Sequence, residues 1–353
     1  MLDRLSPATV KYRPMKESVS NYDALRKEAE LQRESQSWEI GPVQPANPGD
    51  IPLIDLSAYF NGGDDAELDR VAAELHRACT EVGFCSIVGH GFPDDLLDAA
   101  FASARAFHAL DQQSKNALLM DQPGWPGGVG YLPVNNRKLP ARDKGNLNES
   151  IVFKRDHEYD LDDNRWPDES ALPGFRKTVE AYIKQIETLA KRLLPVYARS
   201  LDLEKSFFDE AFTRPLYRMR LTRYPIVPGK ARDEYGISPH VDTTFFTILA
   251  QNSPGLVIFS EPRQCWIHAP VVEGAFIVNS GELLKQWTND CYLSVKHFAD
   301  NNTGDESRYS IPFFFNANPD YRMVCIPTCC DADNPPKYPP FSYLESQGVV
   351  QGE

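Results

Sequence analysis

Ser238-Pro239-His240-Val241-Asp242 sets an imidazole and a carboxylate two residues apart. On an extended strand, positions i and i+2 point the same way, so His240 and Asp242 can face one ion. A third ligand has to come from elsewhere, and His297, in Leu293-Ser294-Val295-Lys296-His297, lies on a later predicted strand. Two histidines and one carboxylate on one side of an ion leave its other positions open, which suits non-haem Fe(II) handling O2. An HxD triplet alone is common and carries little; the residues downstream give it weight.

Eleven residues beyond His297 comes Arg308-Tyr309-Ser310. Arg308 and Ser310 share a strand face, so a guanidinium and a hydroxyl can grip one carboxylate. Upstream, Arg218, Arg220, Thr222 and Tyr224 alternate along one face of another predicted strand, and a cation and a phenol there can meet the same anion from across a barrel. Each residue has a plain reading as well, Arg308 as a surface ion pair and Tyr224 as a core phenol. All the plain readings would have to hold at once.

Outward from this core, the chain after Leu216 reads as short strands and turns, at 217–224, 245–250, 255–259, 275–278, 292–298 and 309–315, a spacing that predicts a sandwich or barrel. Helical patterns precede them at 67–82, 93–110 and 175–201, with Leu68, Val71, Leu75 and Ala78 at helical spacing in the first. A strand at 83–88 stops at Gly89-His90-Gly91. The organisation expected is a polar extension over residues 1–49, with a charged helical candidate at 16–36, then a helix-and-strand region over 50–205. A β core over 206–353 follows, closed by the Pro-rich 333–340 and a short helical turn.

The 353 residues carry 37 Lys+Arg against 50 Asp+Glu, a net charge of −13, which argues against partners such as nucleic acid or anionic membrane. Pro makes up 28 of the 353 residues, which implies many turns and edge strands. No run reaches the ~18 apolar residues of a membrane span, and the first residues lack the apolar core of a secretory signal. Seven irregularly spaced cysteines fit a reduced, cytoplasmic setting. Cys325-x3-Cys329-Cys330 lacks the paired ligands that would complete a metal knuckle.

In order along about 300 residues, the chain resembles the isopenicillin N synthase-like family of Fe(II)/2-oxoglutarate-dependent oxygenases. The resemblance rests on Ile51-Pro52-Leu53-Ile54-Asp55, Gly83-Phe84, His90-Gly91 and Gly130-Tyr131 in the first half. In the second half it rests on Arg223-Tyr224-Pro225, His240-Val241-Asp242, Thr247-Ile248-Leu249, Pro254-Gly255-Leu256, Val278-Asn279-Ser280-Gly281-Glu282, Ser294-Val295-Lys296-His297 and Arg308-Tyr309-Ser310. It implies an α+β fold, a distorted double-stranded β-helix (jelly-roll, cupin-like) core with flanking helices, holding Fe(II) through His240, Asp242 and His297. It further implies 2-oxoglutarate as cosubstrate with O2, its distal carboxylate on Arg308 and Ser310 with help from Tyr224, and Asn279 close to the iron. His90 matches a structural turn, and His157 and His268 match no ligand position.

Three departures stand out: Thr222 where Asn is common, Phe298 where Arg often follows the distal His, and one extra residue between His297 and Arg308. The activity implied is oxidation of an unactivated C–H of a small organic molecule, by hydroxylation, desaturation or ring formation, with release of succinate and CO2. Three alternatives stay open at this point. They are an Fe(II) oxidase of the same fold that uses no 2-oxoglutarate, as in isopenicillin N synthase-type ring closure, a zinc hydrolase at the same triad, and a non-catalytic binder. For the substrate, Arg220 is the candidate anion contact, with a buried ion pair as its plain alternative, and Phe314 and Phe153 are candidate pocket walls.

Overall fold

The computed structural model describes residues 40–123, 127–135, 145–229 and 234–347. The helical candidate at 16–36 lies outside them. Thirteen strands are present among the described residues: β1 (Val43–Pro45), β2 (Leu53–Asp55), β3 (Phe84–Val88), β4 (Gly130–Leu132), β5 (Glu149–Arg155), β6 (Leu216–Tyr224), β7 (Ile237–His240), β8 (Phe246–Gln251), β9 (Leu256–Ser260), β10 (Cys265–His268), β11 (Phe276–Ser280), β12 (His297–Ala299) and β13 (Arg308–Asn316). They form an eight-stranded sheet in the order β2-β3-β11-β8-β13-β6-β5-β4 and a five-stranded sheet in the order β1-β10-β9-β12-β7. From β6 to β13 the chain passes repeatedly between the two sheets, which is the connectivity of a jelly roll.

Strand parity divides the large sheet into two chemically different faces. Tyr217, Met219 and Leu221 of β6, Phe246 and Ile248 of β8 and Phe313 and Phe315 of β13 belong to one apolar core with the helices. The helix Phe175–Ser200 covers that face, and Tyr197 stacks on Phe246 with ring centroids 5.0 Å apart. The helix Asp65–Arg77 lies against it, buries Leu68, Val71 and Leu75, and is capped by the Asp64 side chain accepting from the Ala66 and Glu67 amides. The alternate residues of β6, β8 and β13 face the interior between the sheets. Phe84, Leu256, Ile258, Ile267, Ile277 and Val295 form an apolar cluster, and Phe84 lies against His297, one of the polar side chains considered next.

Two boundaries differ from the sequence expectation. Residues 292–296 have no strand structure, and β12 begins only at His297. Residues 43–45, expected in the extension, add a parallel edge strand to β10. Arg263 ties this segment down through Gln44 Oε1 (2.6 Å) and an ion pair with Asp50.

Candidate active site

His240 ends β7, and His297, the first residue of β12, pairs directly with it. The pairing shifts register between His297 and Ala299, a local irregularity of the kind that re-aims a side chain. The imidazoles lie 4.3 Å apart, centroid to centroid. His240 Nδ1 bonds the Ser238 carbonyl at 2.8 Å and His297 Nδ1 the Val295 carbonyl at 3.0 Å. Each carbonyl can only accept, so Nδ1 carries the proton and Nε2 keeps its lone pair for a metal.

Asp242 is not on the strand; it lies in the turn after β7, so strand alternation is not what aims it. Its Oδ2 accepts from Thr247 Oγ1 (2.7 Å) and Asn279 Nδ2 (2.8 Å), and its carbonyl accepts from the Glu282 amide at 2.7 Å. Oδ1 is thereby left toward the imidazoles, 3.6 Å from His240 Nε2 and 3.7 Å from His297 Nε2. A Cβ on Gly281 would stand 2.2 Å from the Thr244 carbonyl oxygen, so this close approach requires glycine.

Burial pushes the Asp242 carboxyl up, but the adjacent His297 and His240 imidazoles and the Asn279 amide outweigh it and hold the group far below the usual carboxylate range. Burial, reinforced by the neighbouring His240, lowers His297 to about 4. The triad at neutral pH is therefore one carboxylate and a neutral distal imidazole, the protonation that metal binding needs. Among the described residues this is the cluster of three such groups close enough to hold a metal ion. Two nitrogens and a carboxylate oxygen, aimed from one side by outer hydrogen bonds, fit Fe(II).

Arg308 of β13 lies opposite Tyr224 of β6, with its Cζ 4.4 Å from the phenol ring centroid. It is 3% exposed. Nε donates to the Ser253 carbonyl and Nη2 to Gln251 Oε1, both at 3.1 Å, while Nη1 is buried without a partner. Ser310 and Tyr224 share a hydroxyl contact of 3.3 Å beside it. A buried guanidinium with no carboxylate against it among the described residues is costly unless an anion arrives, and Nη1 with the two hydroxyls is the donor set for a carboxylate.

The remaining expected residues divide. Phe314 lies inward on β13, paired with Thr247, and the Arg220 guanidinium stands 5.4 Å from its ring centroid. Phe153 is not brought to the site. It is fully buried on the opposite face of β5, stacked on Trp166 at 4.5 Å and packed on Phe175. Parity is the reason: Ser150 and Val152, opposite Thr222 and Arg220, are the inward residues of β5. His90 bonds the Gly274 carbonyl at 2.9 Å and accepts from the Phe92 amide at 3.1 Å, a structural part. Thr247, Gly281 and Gln251 are site residues that the sequence reading misses. The first two stand inside matched motifs, and Gln251 is opposite Ser310 on β8, so partner-strand parity is the signal that could find it.

Comparison with known proteins agrees with this geometry. Residues 51–169 match the family described as non-haem dioxygenase in morphine synthesis N-terminal, and residues 216–317 match the 2OG-Fe(II) oxygenase superfamily. The chain is 34% identical over 308 residues to the 2-oxoglutarate-Fe(II) type oxidoreductase hxnY of Emericella nidulans, covering 82% of this chain and 86% of that one. It is 30% identical to kihadalactone A synthase LFS of Citrus sinensis, over 83% of this chain and 90% of that one. Among solved structures, a full-length Neurospora crassa protein in complex with alpha-KG and thymine superposes with a TM-score of 0.75 at 25% identity, covering 86% of this chain and 97% of that one. The chain belongs to the 2-oxoglutarate–Fe(II) oxygenase superfamily and is an oxidoreductase that uses Fe(II), 2-oxoglutarate and O2 on a small molecule.

Proposed function

We propose that His240, Asp242 and His297 hold Fe(II), and that Arg308, Ser310 and Tyr224 take the distal carboxylate of 2-oxoglutarate, in an enzyme that hydroxylates a C–H of a small organic anion. The reaction balances as R–H + 2-oxoglutarate + O2 → R–OH + succinate + CO2. Bound there, iron and cosubstrate supply the O2 activation that an unactivated C–H requires. The protein's part is orientation and exclusion of water. Asn279 and Thr247 keep Asp242 from rotating. The apolar cluster beside the triad, with Phe84 edge-on to His297 at 5.3 Å, limits water on that side.

The observation that carries the reading is Arg308, a buried cation lacking a carboxylate partner among the described residues, with Nη1 unused and two hydroxyls beside it. The substrate side follows from register. Along β13, Ser310 is opposite Gln251 and Phe314 opposite Thr247, which bonds the ligand Asp242. Phe314 therefore stands level with the contact that orients Asp242, with the Arg220 guanidinium 5.4 Å from its ring centroid, and Arg220 is the anion contact we infer for the substrate. The net charge of −13 and seven free cysteines support a free small molecule in a reducing cytoplasm, with neither nucleic acid nor membrane as partner.

Anaerobic titration of the Fe(II)-loaded protein with 2-oxoglutarate tests the assignment. A visible charge-transfer band is expected in the wild type and is lost in His297→Ala and Arg308→Ala; a wild type without the band ends the proposal. Arg220→Ala is expected to raise the KM of an accepted anionic substrate by about tenfold or more, the cost of one charge-assisted contact. Unchanged substrate affinity in that variant would remove the anion contact and leave the cosubstrate assignment standing.

A further inference from the structure

We propose that Gln251 is a positioning residue for the cosubstrate, holding Arg308 with a neutral acceptor so that its charge stays available to the distal carboxylate. The inference rests on the assignment of Arg308 to that carboxylate.

Among the described residues, the groups in contact with Arg308 are uncharged: the Ser253 carbonyl on Nε, the Gln251 side-chain oxygen on Nη2 and the Tyr224 ring against the guanidinium plane. Gly255, with φ of +148°, makes room, since a Cβ there would stand 2.8 Å from both Cδ and Nε of Arg308. Five donors radiate from a planar guanidinium. Fixing Nε and one Nη2 hydrogen fixes the plane, and with it the direction of Nη1. Gln251 is also directly opposite Ser310 across β8 and β13, so one rigid register sets both the guanidinium and the hydroxyl.

The neutrality of Gln251 is the functional point. A carboxylate in its position would form a paired, charge-assisted contact with Arg308 and repel the incoming anion at short range. An apolar side chain of similar size would leave the charge but free the plane to rotate. The two replacements therefore fail in different ways, and both failures concern only the distal end of the cosubstrate.

The test compares 2-oxoglutarate with 2-oxovalerate, which keeps the 1-carboxylate and keto group but ends in a methyl. Anaerobic binding to the Fe(II)-loaded full chain is measured by calorimetry for the wild type, Gln251→Leu, Gln251→Glu and Arg308→Ala. Gln251→Leu is expected to weaken 2-oxoglutarate by about tenfold. Gln251→Glu, nearly isosteric, is expected to weaken it by about a hundredfold. Neither should shift 2-oxovalerate more than about twofold. Equal losses for both ligands would make Gln251 merely structural and overturn the inference. So would a Gln251→Glu variant that binds 2-oxoglutarate as tightly as the leucine variant. If Arg308→Ala fails to lose its preference for 2-oxoglutarate over 2-oxovalerate, the Arg308 assignment itself is wrong, a result distinct from failure at Gln251 alone.

Discussion

At the scale of single residues, the proposed metal site is decided by what holds each candidate ligand's second atom. Both imidazoles are fixed through Nδ1 to a carbonyl two residues earlier, a contact the local chain makes unaided. Asp242 depends on Thr247 and Asn279, which reach it from β8 and β11. Thr247→Val keeps the volume and removes one of these bonds; metal affinity is expected to fall about 10–100-fold, read by titration with Fe(II) or Mn(II). Unchanged affinity would mean that Asn279 alone suffices. Gly281→Ala forces the 242–244 turn away from the helix Glu282–Trp287, because the obstructing atoms include the Thr244 backbone. Its cost in stability is expected to be about 1–3 kcal/mol, with metal affinity lost alongside; denaturant unfolding and metal titration report the two separately.

Among the elements, β5 and β6 are joined by a buried charge network as well as by their ladder. Glu149 Oε1 accepts from Arg223 at 2.8 Å, and Oε2 from Lys115 at 3.0 Å and Tyr131 at 2.6 Å. Burial pushes the Glu149 carboxyl up, but the adjacent His108 ring, with Nδ1 3.5 Å from Oε1, Tyr131 and Lys115 prevail and it sits well below its ordinary value. Its stabilising contribution is therefore complete above the unfolded value of about 4.3 and is lost as pH falls below that toward the folded value. Glu149→Gln is expected to cost about 3–5 kcal/mol at pH 7, since it strands Lys115 in the interior. Urea unfolding of both proteins should show this gap narrowing as the pH drops through 4; a gap independent of pH would rule out the carboxylate as its source. Nothing in local sequence pattern announces this network, whose members come from the helix Gln112–Asn116, β4, β5 and β6. The same dependence on neighbours explains Phe153. Reading β5 alone gives alternation without saying which side is inward, and only its pairing with β6 decides that.

For the whole molecule, the small sheet is completed by a strand from ahead of the body. β1 pairs with β10, and Ile40 and Val43 pack on the cluster of Trp266, Phe298 and Val257. A chain starting at residue 51 would lose this edge and the Asp50–Arg263 ion pair. Its melting temperature is expected to fall by several degrees, at about 2–4 °C per kcal/mol lost; calorimetry that finds no change would assign β1 no stabilising part. The amino-acid sequence by itself predicted a sandwich or barrel, which the family resemblance narrowed to a jelly roll, and put forward the residues of the proposed triad and of the Arg308–Ser310 pair, because strand periodicity and ligand chemistry are local properties read in order. Tertiary structure alone decided the rest. It set the aim of Asp242 from a turn, the start of the last triad strand at His297, the inward face of β5 and the neutral cradle of Arg308. Each of those depends on which strand lies alongside which, and register between distant segments is fixed only when the sheets and helices bury their shared core.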